Sequence, residues 1–230
     1  MAPARQPGAW MTEVPSLPEM PAMVRRRVER SGRAACQVAY WCQAAGDHVP
    51  MVFASRYGDA TRSLAMLGDL VNQQALSPSS FALSVHNAVA AIYSIARGDK
   101  GHSVVVAAGR ATVTAALIEA MALVADGAPQ VLVVCYDAPL PHDYARFHDE
   151  FACEFAWAWL VAGDAHAAEG VRVQVQIEPV EEGGSLPERV LPAGLAVFRQ
   201  VLRQLSGAPQ RDSLFCPDRP GVGSRWGPHV

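Results

Sequence analysis

The side chains able to do chemistry gather in a few places. His86 stands in Ser84-Val85-His86-Asn87, and Ser84 beside it or Ser103 further on would supply a hydroxyl. A histidine with such a serine is the residue pair of acyl transfer or thioester hydrolysis. Cys135 closes an apolar run before Tyr136-Asp137 and is either a nucleophile or a packed thiol. His142, Asp143, His148, Asp149 and Glu150 bring ligating types together, but two histidines six apart with no matching pair elsewhere do not make a zinc spacing. Arg110 lies in Val106-Ala107-Ala108-Gly109-Arg110-Ala111-Thr112, a join of strand to helix. Helix N-terminal NH groups point outward at such a join, so an α/β fold presents a nucleophile or a phosphate cradle there. This one carries neither Ser nor Cys at its tip.

Composition narrows what these groups can serve. The chain has 230 residues, half of them apolar, and a formal charge of -3. That is ample for one large core and gives no electrostatic reason to invoke nucleic acid. Cys36, Cys42, Cys135, Cys153 and Cys216 are odd in number and scattered, which suits reduced thiols and a cytoplasmic setting. No apolar run reaches the roughly 20 residues of a membrane span, and the Pro-rich start lacks a signal-peptide core, so neither membrane insertion nor a leader is expected.

The elements that must position the candidates follow from periodicity. Residues 1–20, with Pro3, Pro7, Pro15 and Pro18, form an arm, with a short strand near Gly8 to Val14. From Pro21, Val24, Val28, Ser31, Ala35, Ala39 and Cys42 repeat on one helical face, while Arg26, Arg30 and Arg33 share the other beside Glu29, as a solvated face or a dock for an acidic partner. Met51 to Ser55 is a buried strand, a helix spans about Ala60 to Gln74, and Phe81 to Val85 is too short to assign. A helix from about Asn87 to Arg97 stops at Gly98, Ser103 to Ala108 is a strand, and Ala111 to Asp126 is a helix apolar nearly all round, hence covered on more than one side. Val131 to Cys135 is a doubly buried strand. Phe151 to Trp159 alternates large and small, Val171 to Ile177 alternates apolar and polar as an antiparallel strand, and a last helix covers Ala193 to Leu205. Residues 206–230 show no periodicity and are expected to be an irregular tail. Helix and strand alternate, which predicts an α/β domain over 21–205: a mixed five-stranded sheet, parallel at its centre, with helices on both faces.

The words themselves add a resemblance. Ser77-Pro78, Phe81 through Ala88, Ile95 to Gly98, the strand into an Ala-rich helix, Gly127 and Val131 to Val134 resemble the N-terminal half of β-ketoacyl synthases, which share the thiolase fold. Pro21-Ala22-Met23, Arg25-Arg26-Arg27 and Val52 through Gly58 resemble the ketosynthase-like subunits of aryl polyene pigment clusters. Pro21 to about Leu160 is covered.

The resemblance implies a thiolase-like half-fold whose acyl-accepting cysteine would stand at Gly109 or Arg110, positions that cannot form a thioester. It therefore implies a non-catalytic chain-length-factor-type subunit, without cofactor, that pairs with an active ketosynthase in polyketide or fatty-acid-like biosynthesis and shapes its acyl pocket. An acyl carrier protein is a further implied partner. Ser103, Val104, Val105, Val106, Ala107 and Ala108 would meet the partner's equivalent strand, with His86 and Asn87 at the same interface. Ile92, Tyr93, Leu117 and Met121 would line or plug the acyl pocket. The alternative is a stand-alone acyltransferase or thioesterase that uses Cys135 or a serine with a histidine.

Overall fold

A computed structural model describes residues 13–163, 170, 172–179, 191–205, 214–219 and 222–228. Its centre is a four-stranded sheet. Strand β1 (Met51–Ala54) lies between β2 (Ser103–Val106) and β3 (Gln130–Asp137), parallel to both, and β4 (Phe155–Ala162) runs antiparallel on the far side of β3. Met51 aligns with Ser103 on one side and Leu132 on the other, so β1 is hydrogen-bonded along both edges while β2 is an edge strand.

Alternation along β1 and β3 divides the core in two. Met51, Phe53, Leu132, Val134 and Tyr136 face one layer, with helices α2 (Arg30–Cys42) and α5 (Ala88–Arg97). Val52, Ala54, Val131, Val133 and Cys135 face the other, with α6 (Thr112–Ala125), α7 (Ala193–Leu205) and Trp226. Every β1 residue is buried, as a strand covered on both faces requires.

The helices end where their sequences can end them. Gly98 adopts φ +65° after α5, and Gly127 adopts φ +106° after α6, both in the left-handed region that glycine enters at little cost. Asp59 caps α3 (Ala60–Val71) by accepting from Arg62 N at 2.9 Å, and Ser77 caps α4 (Pro78–Ser84), with Pro78 in its first turn.

Several expectations are corrected. The helix expected from Pro21 is two: α1 (Ala22–Arg25) ends at Arg26, and Glu29, extended at ψ 169°, starts α2. Glu29 pairs across to Arg62 at 2.8 Å, and Arg30 reaches Glu154 at 2.5 Å, so two members of the charged row bind other parts of the chain. The Ser103 strand stops at Val106, because Ala107 and Ala108 lead into a 3-10 turn, Gly109–Ala111. Among the described residues the sheet has four strands rather than five, because β5 (Val173–Pro179) pairs elsewhere. With β6 (Leu214–Arg219) and β7 (Val222–Pro228) it forms a second sheet in the order β5-β7-β6, so the tail expected to be irregular carries two strands. Backbone pairing with a distant strand made them; no side-chain alternation announces it. Helix α6 packs against the sheet and against α7 and leaves Ile118 and Met121 exposed. The short strand expected near Gly8 lies outside the described residues up to Thr12, as does Val171 of the alternating segment; residues 13–20 hold no strand.

Those residues are an anchored arm. Leu17 and Met20 are buried in the α2–α5 layer, and Leu17 takes φ +49°, a cost that a branched residue bears only where packing compensates. Arg25 Nη1 donates to the carbonyls of Ser16 and Leu17 at 3.0 and 3.1 Å. Leu17→Ala is expected to lower the unfolding free energy by about 3 kcal/mol, as for other buried leucines, with a parallel drop in the urea midpoint. An unchanged midpoint would show the arm to be unattached.

Candidate functional site

The carboxyl ends of β1 and β3 and the β2–α6 junction converge, and the sequence places charged groups at all of them. β1 runs into Ser55-Arg56-Tyr57-Gly58, β3 ends in Asp137, and the junction presents Arg110. Asp137 is the hub. Its carboxylate accepts the Ser55 hydroxyl at 2.8 Å and the Arg56 backbone NH at 3.0 Å. Burial pushes its carboxyl from 3.8 up to about 6, although the hydrogen bonds from Arg56, Ser55 and Tyr57 pull the other way.

Arg56 and Arg110 share two carboxylates on the segment between β3 and β4. Arg56 Nη2 lies 2.9 Å from Asp149 Oδ1, and its Nη1 lies 3.1 Å from Glu150 Oε1. Arg110 Nε lies 3.2 Å from Asp149 Oδ2 and 3.6 Å from Glu150 Oε1, and its Nη2 meets the Asp149 carbonyl. Burial opposes ionisation of Asp149, but the two guanidinium groups outweigh it and hold the carboxyl below its usual range. A cation at the first turn of a helix opposes the helix dipole, so the paired acids also make Arg110 tolerable where it stands.

The junction itself is built without a nucleophile. Gly109 takes φ +59°, and Thr112 Oγ1 donates to the Gly109 carbonyl at 2.6 Å while accepting the Ala108 NH at 3.0 Å. Strand β6 packs against this turn, and Thr114 Oγ1 meets Ser224 Oγ at 3.0 Å, so the C-terminal hairpin covers the start of α6.

The other sequence candidates are placed as follows. His86 Nε2 lies 2.9 Å from the Ser55 carbonyl oxygen, and a Cβ on Gly58, itself at φ +57°, would stand 2.7 Å from His86 Nδ1. The imidazole therefore touches the backbone of Ser55, whose hydroxyl is turned to Asp137. Ser, His and Asp are neighbours here but not a relay. Ser84 Oγ donates to the Phe81 carbonyl, and Cys135 is 1 % exposed, its thiol held well above its usual range by burial and then by Asp137 and Glu150. A thiol so placed is neither reached by substrate nor ionised at neutral pH. Among the described residues no three His, Cys, Asp or Glu side chains converge to hold a metal.

Ile92 and Tyr93 are core residues beneath α2, with Tyr93 Oη donating to Gln43 Oε1 at 2.9 Å. Leu117 is core on the opposite side of the sheet, and Met121 beyond it is 59 % exposed. The sheet therefore separates the four residues expected to line one pocket, and they do not enclose a cavity within this chain. Asn87 precedes α5 without a side-chain cap bond. Ser103, Ala107 and Ala108 are exposed along the sheet edge, with Val104, Val105 and Val106 half-buried. Arg56 and Asp137 were not singled out from the sequence, although a charged residue at the carboxyl end of a doubly buried strand is a signal that could have found them. Also unforeseen is an apolar surface on α3 and α4: α3 buries no residue, and Leu67, Leu70, Val71 and Phe81 stand in the open.

Comparison with known proteins places these features. The family described as beta-ketoacyl synthase, N-terminal domain, matches residues 1–212. A solved ketosynthase (ApeO) in complex with its chain length factor (ApeC) from Xenorhabdus doucetiae superposes with a TM-score of 0.73 at 24 % identity, over 93 % of this chain and 82 % of that one. The ishigamide ketosynthase/chain length factor gives 0.58 at 19 % identity, over 75 % and 54 %, and a β-ketoacyl synthase from Burkholderia phymatum gives 0.52 at 14 %, over 77 % and 53 %. The chain thus spans little more than half the length of the last two, and the likeness is one of fold. No curated protein matches the sequence significantly.

Asp137 makes a prediction that separates its titration from its packing. Between pH 3.8 and about 6 the folded chain keeps a proton that the unfolded chain releases, so this group's contribution to stability falls as pH rises through that window and is level above it. With the carboxyl raised from 3.8 to about 6, the cost at neutral pH is on the order of 3 kcal/mol. Asp137→Asn should therefore gain on the unaltered chain in urea midpoint as pH goes from 4 to 7. A gap that stays constant across that range would contradict the assignment.

Proposed function

We infer that this chain, which belongs to the β-ketoacyl synthase N-terminal domain family, acts as a non-catalytic, chain-length-factor-type subunit that pairs with an active ketosynthase in the cytoplasm and walls its acyl pocket. The observation that carries the reading is the ion-paired Arg110 at the strand-to-helix turn. A guanidinium cannot accept an acyl group, and the C-terminal hairpin covers the turn from the other side.

Two surfaces support the pairing. Among the described residues strand β2 has a free edge, which a second strand can extend through backbone hydrogen bonds, and Ala107 and Ala108 allow close approach there. The exposed apolar residues of α3 and α4 form a patch of the kind that marks a protein interface. Of the residues expected to line the acyl chain, Met121 is the one open to a neighbouring subunit, with Ile118 beside it. Burying apolar surface against a growing chain stabilises it by roughly 25 cal/mol per Å², so a wall of this kind favours chains that reach it. An acidic carrier protein would find Arg26 and Arg27 exposed at the turn between α1 and α2. The stand-alone acyl-transfer reading has less behind it, since Cys135 is inaccessible and Ser55 faces an aspartate.

Pairing is tested by co-expression with a ketosynthase encoded nearby. The two should co-elute as one species, and Leu70→Glu with Val71→Glu, both solvent-exposed in the free chain, should abolish co-elution while leaving the urea midpoint unchanged. Co-elution that survives both charges would remove the α3 face from the interface, and a failure of the unaltered pair to associate would sink the reading. In the reconstituted pair, Met121→Ala should shift product toward longer chains by mass spectrometry; an unchanged distribution would assign Met121 to surface only.

A further inference from the structure

Five charged side chains meet at the carboxyl end of the sheet, and three of them are acids. Arg56 and Arg110 face Asp149 and Glu150 on the segment between β3 and β4, and Asp137 at the end of β3 supplies the third carboxylate. Asp137 lines the cavity beneath that segment with Arg56, Tyr57, Glu150, Phe151 and Cys153, a space of about 310 Å³ counted out to its mouth. Burial first, then Asp137 and Glu150, push up the thiols of both Cys135 and Cys153, so the two carboxylates act on the same ground.

Two guanidinium groups do not balance three carboxylates, and a proton resolves the excess. Burial holds the Asp137 carboxyl up at about 6, against the pull of the Arg56 and Tyr57 NH groups, the Ser55 hydroxyl and, last, the Arg56 charge. Lifting the segment would carry Asp149 and Glu150 into water, rehydrate Asp137 and leave the Arg56 charge to it. Each of those changes favours the charged carboxylate. The closed form therefore binds the proton more tightly than the open one, and losing the proton favours opening. Of the other groups facing Asp137, burial holds Tyr57, Tyr136, Cys135 and Cys153 above their usual ranges and so uncharged, and Arg56 and Arg110 stay charged. Asp149 is held below its usual range, β4 adds only Phe155 opposite Asp137, and α7 adds the Ala193 NH, bonded to Glu150 Oε2 at 2.9 Å. His148 also lines the cavity, and an imidazole changes charge near neutral pH.

We propose that residues 138–154 are a strap released by ionisation of Asp137, which, once charged, competes with Asp149 and Glu150 for Arg56 and loosens the strap as pH rises from mildly acidic to neutral. Asp137 is the switch, Arg56 the shared partner, and Asp149 and Glu150 the contacts that yield. Opening uncovers the space walled by Tyr57, Phe151 and Phe155, so one proton decides whether that apolar cavity is closed. The device stands whether or not the chain pairs with a ketosynthase.

Hydrogen exchange by NMR on the full chain reads the strap directly, because the Ala193 amide donates to Glu150 and the His148 amide donates to the Ala145 carbonyl at 3.1 Å. Corrected for intrinsic rates, both should lose about tenfold in protection between about pH 5 and pH 7.5, as expected when a carboxyl held at about 6 returns to its ordinary value on opening. Both should also exchange ahead of the β1 amides, which open only with the whole fold. Asp137→Asn should level the pH dependence seen at Ala193, and His148→Gln should leave it intact. Asp149→Asn removes one competitor for Arg56, so in that variant the Asp137 carboxyl, followed by carbon NMR, should titrate lower than in the unaltered chain. Any one of four results would overturn the proposal: protection that is constant with pH, or exchange no faster than that of β1; a fall that survives Asp137→Asn; a fall that vanishes in His148→Gln; an Asp137 titration unmoved by Asp149→Asn. None of these outcomes bears on co-elution with a ketosynthase, so the two readings fail separately.

Discussion

Charge withdrawn from water must be answered by opposite charge close by, and that constraint organises the carboxyl end of this sheet. Arg56 and Arg110 are mostly buried, and Asp149 and Glu150 come to them from a segment far along the chain. Removing one member would leave another uncompensated, at a cost of several kcal/mol for a buried pair. The segment between β3 and β4 is thereby fixed over the β2–α6 turn. A position that could carry nucleophilic chemistry carries a closed ionic cluster instead.

The rest of the molecule holds those groups in place. Two apolar layers clamp β1 and β3, so the strand ends, and with them Arg56 and Asp137, have little freedom. Leu17 and Met20 fill the α2–α5 layer from the N-terminal arm, and Trp226 fills the α6–α7 layer from the C-terminal hairpin. Leu17 and Met20 thus reach the core on one face of the sheet and Trp226 on the other. Polar links cross between the elements as well, from His86 to the Ser55 carbonyl and from the Ser55 hydroxyl to Asp137. Facing outward are the apolar α3–α4 surface, Ile118 and Met121, and the backbone groups along the edge of β2.

Much of the fold was legible because its causes are local. The β-branched run in β3 and the glycines at 98 and 127 each announce a strand or a helix end through their own conformational preferences. Arg110 was legible as the occupant of a strand-to-helix turn, since the apolar run before it and the Ala-rich run after it leave little choice. Its partners were not: Asp149 and Glu150 stood out only as possible metal ligands, and nothing in the sequence ties them to a residue 39 positions away. The pairing of β5 with β7 escaped for the same reason: Val222–Pro228 holds glycine and proline where alternation would be sought, and its strand character comes from backbone bonds to a distant segment.

The sequence by itself determined the alternation of helix and strand, the family likeness, and the absence of serine or cysteine at the tip of the turn, because periodicity and residue identity are properties of the linear chain. Only the tertiary structure decided that Arg110 is neutralised rather than free, that Ile92 and Tyr93 lie across the sheet from Leu117 and Met121, and that β5 leaves the main sheet. Those depend on which distant residues share a few ångströms of space, and burial and charge compensation act on that distance rather than on separation along the chain.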